Sequence, residues 1–161
     1  MLNLKTKFHL KIILLFSFIA LISAFFIEYV LGHQPCNLCL IERIPYGLSI
    51  IIITAIFLIK KNQEFLVMLL ILTFIFSFAI SFYHYGIEQG FFQESSFCGV
   101  KILTESINKE DLLKQLSEKI ISCRDVTFRI FGLSLTSINI VISLLFIITL
   151  TKIFYKYEKN R

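Results

Sequence analysis

Tryptophan is absent from the 161 residues, proline occurs twice and glycine six times. Charged residues make up only 17% of the chain, whereas a soluble domain carries about a quarter. No glycine-rich loop that would cradle a phosphate is present, and no aromatic pattern of an RNA-binding sheet. No internal repeat, linker or low-complexity tract marks off a second domain. What fills the chain instead is apolar sequence: 57% hydrophobic residues, 18 of them phenylalanine, and a mean hydropathy of +0.80. Without tryptophan, phenylalanine and tyrosine must anchor the chain at a membrane surface.

The apolar residues fall into four runs, at about 10–31, 40–59, 65–85 and 133–154, each near the roughly 20 residues that span a bilayer. None holds an internal proline except the second, where Pro45 comes early and its missing N–H costs little. The expectation is an all-α, integral membrane four-helix bundle in a single domain, 1–161. The first run follows Lys5, Lys7 and Lys11, as a signal peptide would. Its apolar stretch is too long for one and no A-x-A site follows, so it reads as an uncleaved helix.

Lysine and arginine in short segments set orientation. Lys5, Lys7 and Lys11 precede the first run, Lys60 and Lys61 separate the second and third, and Lys152, Lys156, Lys159 and Arg161 close the chain. These segments share one side of a four-span bundle, which places both termini in the cytoplasm. The net charge of +5 is thereby a topology signal, and nucleic acid is not expected as a partner. The opposite side holds a short loop at about 32–39 and a long one at about 86–132. Within the long loop NKEDLLKQLSEKIIS reads as a short amphipathic helix capped by Asn108, with Leu112, Leu113, Leu116, Ile120 and Ile121 on one stripe. Such a helix suits the bilayer surface or the side of the bundle.

All four cysteines, Cys36, Cys39, Cys98 and Cys123, lie on that same outer side. Cysteines serving as small apolar residues would scatter through the spans, and disulfides persist in an oxidising compartment such as the periplasm. In PCNLCLIERIPYG, residues 35–47, two cysteines open a helix three positions apart. Their sulfurs then share a face, and the partial positive charge of the helix N-terminus favours a thiolate. Arg43 follows on that face, one turn beyond Cys39. A fixed cation there favours thiolate further and can donate hydrogen bonds to a carbonyl lodged in the membrane, which suits a quinone. Three blander readings stand beside this one. Four thiolates can hold zinc, although the second pair is 25 residues apart and lacks the C-x-x-C spacing. The cysteines can form two idle disulfides. Arg43 can snorkel to the interface or pair with Glu42.

PCNLCLIERIPYG before the second span, Cys98, and SCRDVTFRIFGLSL before the fourth resemble the disulfide bond formation protein B (DsbB) family, including its DsbI-type relatives. The resemblance covers nearly the whole chain in span count, loop lengths, both cysteine pairs and the arginine. It implies a bacterial inner-membrane enzyme that reoxidises a periplasmic DsbA-like thiol oxidase and passes the electrons to ubiquinone or menaquinone. It further implies that Cys98 and Cys123 form the disulfide that the partner attacks, with Cys98 taking the mixed disulfide. Cys36 and Cys39 would reoxidise that pair, Cys39 facing the quinone as a thiolate and Arg43 contacting it. Vitamin K epoxide reductase-like proteins use similar parts, but their C-x-x-C comes late in the bundle. The alternative of another class is a four-thiol metal-binding or structural membrane protein.

Further candidates sit near the same outer level. His84 in SFYHYGIEQG could contact the quinone or relay a proton. Glu42 is a candidate for the quinone pocket or for pairing with Arg43, and Glu28 is expected to reach water. Phe91, Phe92 and Phe97 are placed to dip the loop into the interface, with Phe97 next to Cys98. The segment before Cys98 reads ESSFC, without a proline, which leaves open whether the partner is general or dedicated.

Overall fold

The structure, a computed structural model, describes residues 4–59, 62–94, 98, 122–124, 129–130 and 132–159. Among these residues the chain forms four helices: α1 (Leu4–Tyr29), α2 (Asn37–Leu58), α3 (Gln63–Glu88) and α4 (Leu135–Lys159). All four are long and apolar enough to cross a membrane, in keeping with the all-α membrane class. A two-residue antiparallel hairpin, β1 (Arg129–Ile130) with β2 (Leu133–Ser134), leads into α4. The amphipathic helix expected over NKEDLLKQLSEKIIS lies, apart from Ser122, outside the described residues, as do Phe97, Lys60 and Lys61.

Helix limits follow backbone chemistry, whereas hydropathy marks only where the apolar residues begin. Thus α1 starts at Leu4, ahead of the apolar run, and carries Lys5, Lys7 and Lys11 on its first turns. It stops where Gly32 takes a left-handed φ of +72°. The N–H of Leu31 and that of His33 then close back on the carbonyls of Phe26 and Ile27, the glycine-terminated ending that side-chain-bearing residues resist. α3 ends the same way at Gly90, φ +78°, with Phe91 donating to the Gly86 carbonyl. Because α2 begins at Asn37, Pro45 lies two turns inside it. It therefore removes the bond that the Ile41 carbonyl would have accepted, rather than one of the unpaired N–H groups of the first turn.

Sequential helices are neighbours, α1 on α2, α2 on α3 and α3 on α4, while α1 and α4 meet only sparsely. Lipid is as apolar as leucine, so van der Waals fit and hydrogen bonds, not water exclusion, hold these helices together. At the end carrying the termini, Leu10, Ile13, Ile53, Ile56, Leu70, Phe74 and Leu150 form one apolar core. Phe146 bridges it, edge-on to Phe16 at 5.4 Å and to Phe74 at 4.9 Å. Above this core comes a layer of small polar residues. Ser49 donates to Ser17 at 2.8 Å, joining α2 to α1, and Ser143 donates to Ser77 at 3.0 Å, joining α4 to α3. All four serines are fully buried, and their size lets the backbones approach closely. The hydroxyls of Thr54, Thr73, Thr149 and Thr151 are instead satisfied within their own helix, as Thr73 is by the Leu69 carbonyl.

Beyond the serine layer the bundle turns reactive. A second cluster gathers Cys36, Leu38, Ile87, Cys98 and Cys123, at the end opposite the termini. The fold thus separates an apolar end that holds the helices from an end that holds all four cysteines.

Size should matter more than hydrogen bonding at the serine layer. Ser77→Ala is expected to cost less than about 1 kcal/mol, as single interhelical bonds in membranes do. Ser77→Leu should cost about 1–3 kcal/mol by forcing α3 from α4. Thermal unfolding of both variants in detergent checks the order.

Candidate functional site

Cys36 is the N-cap of α2, with extended backbone, and its sulfur accepts the N–H of Cys39 at 3.3 Å. Oxygen-bearing residues usually fill that position; here a sulfur takes one of the orphan donors of the first turn. The Cys39 sulfur stands 2.6 Å from that of Cys36, on the face that the i, i+3 spacing predicts. Both are free cysteines, Cys36 buried and Cys39 partly exposed. Cys98 and Cys123, in contrast, are bonded to each other across 25 positions, with Cα atoms 5.4 Å apart. This disulfide is buried and packs in one cluster with Cys36. Glu94 ties the ends of the loop beside it, accepting from the Ser122 hydroxyl and, at 2.9 Å, from the Arg124 N–H.

His84, on the last turns of α3, faces the Cys36 sulfur with Nε2 at 3.6 Å. Its Nδ1 lies 2.8 Å from Oε1 of Glu42, on α2. The other oxygen of Glu42 accepts from Asn139 of α4 at 3.2 Å. Asn139 also donates to Ser81 at 2.7 Å and accepts from the Tyr46 hydroxyl. A carboxylate, an imidazole and a thiol from two helices are therefore in line, with the carboxylate fixed by a third helix. Bonding Nδ1–H to Glu42 leaves Nε2 directed at sulfur, the arrangement that lets imidazole take a thiol proton. Glu42 thus turns toward His84 and away from Arg43, contrary to the interfacial pairing considered for it.

Arg43 pairs instead with Glu28 of α1, and its guanidinium stands 5.2 Å over the Phe25 ring. Glu28 was expected to reach water; it is 20% exposed and closes this ion pair. Both Arg43 and Cys39 line a cleft of about 330 Å³ whose walls are apolar residues of α1 and α4, Ala20, Ala24 and Ile27 against Leu135, Ile138 and Ile142. Cys36, Glu42, His84 and Cys123 reach the same cleft. It lies between the two helices that meet only sparsely. Phe92, placed by sequence in the interface, stacks on Tyr83 at 5.7 Å and covers Gly86, where a Cβ would meet its ring at 2.1 Å. Phe91 is exposed.

Cys36, Cys39 and His84 bring three metal-ligating atoms within 4.8 Å of one another. Cys98 and Cys123 are bonded to each other and so do not complete a four-thiolate set. Sequence reasoning missed Asn139, Thr136, Tyr46 and Glu88. The signal for the first two was in plain view, since polar side chains within a membrane span are costly unless they serve a partner or a function.

The Cys36 thiol is held well below its ordinary value of 9.0, to about 5. The hydrogen bond from Cys39 contributes most, and the His84 ring adds its own, against burial, which pushes the thiol up.

Comparison with known proteins places the chain in a family. The family model described as disulfide bond formation protein DsbB matches residues 6–153. An uncharacterised protein of Rickettsia prowazekii (strain Madrid E) is 30% identical over 152 residues, which is 93% of this chain and 88% of the relative. No solved structure matches the chain.

With the helix pair reduced, thiolate absorbance should persist as pH falls and disappear only near pH 5, where Cys36 takes up its proton. Replacing His84 by phenylalanine removes a donor to the thiolate, so the midpoint should move upward. An unmoved midpoint would show that His84 does not act on Cys36.

Proposed function

The chain belongs to the disulfide bond formation protein DsbB family and is a membrane protein of disulfide-bond formation; from that premise we propose that it is a quinone-dependent thiol oxidase serving a periplasmic DsbA-like oxidase. The observation that carries this reading is the packing of the Cys98–Cys123 disulfide against Cys36 in one buried cluster. Two cysteine pairs in contact can pass electrons by exchange, since a thiolate attacks a disulfide through a mixed-disulfide intermediate.

In this relay the partner's thiolate attacks the loop disulfide at Cys98, releasing Cys123 as a thiolate. The partner's second thiol resolves the mixed disulfide, and the partner leaves oxidised with the loop pair reduced. Cys123, which shares the cleft with Cys36, then attacks the Cys36–Cys39 disulfide at Cys36. Cys39 departs with the electron pair, and Cys98 displaces Cys36 from Cys123. The loop disulfide is restored, and the helix pair holds two electrons. Low thiol basicity makes Cys36 a good leaving group in that last displacement.

The cleft fits a quinone on two counts. Its apolar walls suit a ring with a lipid tail, and its polar end offers the Arg43 guanidinium beside Cys39. A bound ubiquinone or menaquinone supplies a two-electron acceptor with two carbonyl oxygens. Toward it Arg43 donates hydrogen bonds, Glu28 and Phe25 fix the Arg43 fork, and Glu42 keeps His84 oriented on the thiols. The basic ends of α1 and α4 support an orientation with both termini in the cytoplasm and the cysteines in the periplasm of a bacterial inner membrane.

Stopped-flow mixing with reduced partner and quinone tests the reading. Cys98→Ala should abolish partner oxidation, and Cys39→Ala should abolish quinone reduction. Arg43→His should raise the KM for quinone about ten-fold, the worth of a charged hydrogen bond, while the loop pair stays reactive toward partner. Partner oxidation that survives Cys98→Ala, or stoichiometric zinc in the purified protein, would sink the relay in favour of a metal-binding protein.

A further inference from the structure

Glu88, the last residue of α3, is absent from the relay just described, yet it is the second carboxylate beside His84. Its side chain is 5% exposed, and Oε1 lies 3.9 Å from His84 Nε2. That oxygen accepts the Thr136 hydroxyl of α4 at 2.8 Å, and the same hydroxyl oxygen is 3.3 Å from His84 Nδ1. The other oxygen, Oε2, is buried and has no hydrogen-bond partner among the described residues. Glu88 also lines the cleft. The next two residues, Gln89 and Gly90, are exposed, so Glu88 stands between the buried imidazole and the outer aqueous face.

The two carboxylates beside His84 differ in what they can do. Both oxygens of Glu42 accept hydrogen bonds, from His84 and Asn139, which suits an anchor for the imidazole. Only one oxygen of Glu88 is so engaged among the described residues, and Oε2 has no partner. A carboxyl oxygen placed in this way can carry a proton and, having passed it on, accept the next. Such a group is poised to gain and lose a proton.

The chemistry at Cys36 and Cys39 requires such a group. Exchange between sulfurs moves electrons in thiolate form, so a donor dithiol leaves its two protons in outer water as its two electrons cross to the helix pair. Conversion of a quinone to a quinol takes two electrons and two protons. The two protons must therefore reach the buried site by a route other than sulfur.

We propose that Glu88 is that route: its carboxyl takes protons from the outer aqueous face and hands them to Nε2 of His84, which faces Cys36. This rests on the thiol-oxidase reading above. The other ionisable groups of α2 that line the cleft with Glu88 are Cys36, Cys39, Glu42 and Tyr46, with Arg43 already paired to Glu28. His33, between α1 and α2, reaches the cleft, and Arg124 approaches from the loop, over Gly90.

The test uses the full chain in lipid nanodiscs. Infrared difference spectra of quinone-free protein, dithiol-reduced minus oxidised, should show a carboxyl C=O band change that Glu88→Gln removes and Glu88→Asp retains. In steady-state quinone reduction driven by a small dithiol, Glu88→Gln should slow turnover by about ten-fold or more and raise the solvent deuterium effect. Glu88→Asp should fall between Glu88→Gln and wild type. A purely structural Glu88 reverses that order, because glutamine keeps the length and the acceptor for Thr136. The reversed order, or a wild-type spectrum without a carboxyl band, overturns the proposal, and the spectrum needs no variant to fold. Wild-type protein that oxidises dithiol but never reduces quinone defeats the thiol-oxidase reading, and the proton route with it.

Discussion

Glu42 and His84 meet 2.8 Å apart inside a bundle that lipid surrounds, and the reactive end of the molecule is organised around that contact. A buried carboxylate is costly unless both oxygens are satisfied. Meeting that demand draws α2, α3 and α4 together, through His84 on one side and Asn139 on the other. With its Nδ1 committed to Glu42, the imidazole can only direct Nε2 at the sulfur of Cys36. The orientation of His84 depends on this one bond, and through it the share of the lowered Cys36 basicity that the imidazole adds to that of Cys39.

The bundle keeps that costly chemistry away from the interactions that hold it together. Phe74, Phe146 and Phe16 lock the helices at the end of the termini, and the buried serines set their spacing one layer above. α1 touches α2 along its length but scarcely touches α4, which is what leaves a cleft. The Arg43–Glu28 pair bridges α1 to α2 at the polar end of that cleft. The cation offered to a ligand is thereby held by a helix that itself forms one wall.

Much of this was legible in the sequence because it is local. Apolar runs give helices that cross a membrane, and C-x-x-C ahead of such a run puts two sulfurs on one face. The family resemblance rested on motifs of this local kind, and the family match over residues 6–153 agrees with it. What could not be read was pairing over distance. Glu42 finds Asn139 across 97 positions and His84 across 42, and no spacing rule predicts either. Local proximity even misled: Glu42 adjoins Arg43 in sequence, but neighbouring residues on a helix point apart, and the ion pair formed with Glu28 instead. Glu88 was passed over for the same reason, as one acidic residue at the start of a loop that has several.

The central claim is that the two cysteine pairs work in series, joined through Cys123 and Cys36. Incubating a Cys39→Ser variant with an alkylating reagent and mapping its disulfides by mass spectrometry tests it most directly. With no Cys39 to resolve it, Cys36 should attack the loop disulfide at Cys123, giving a Cys36–Cys123 bond and an alkylated Cys98. A loop disulfide that stays intact while Cys36 alone is alkylated, or a Cys36–Cys98 bond in its place, would contradict a relay in series.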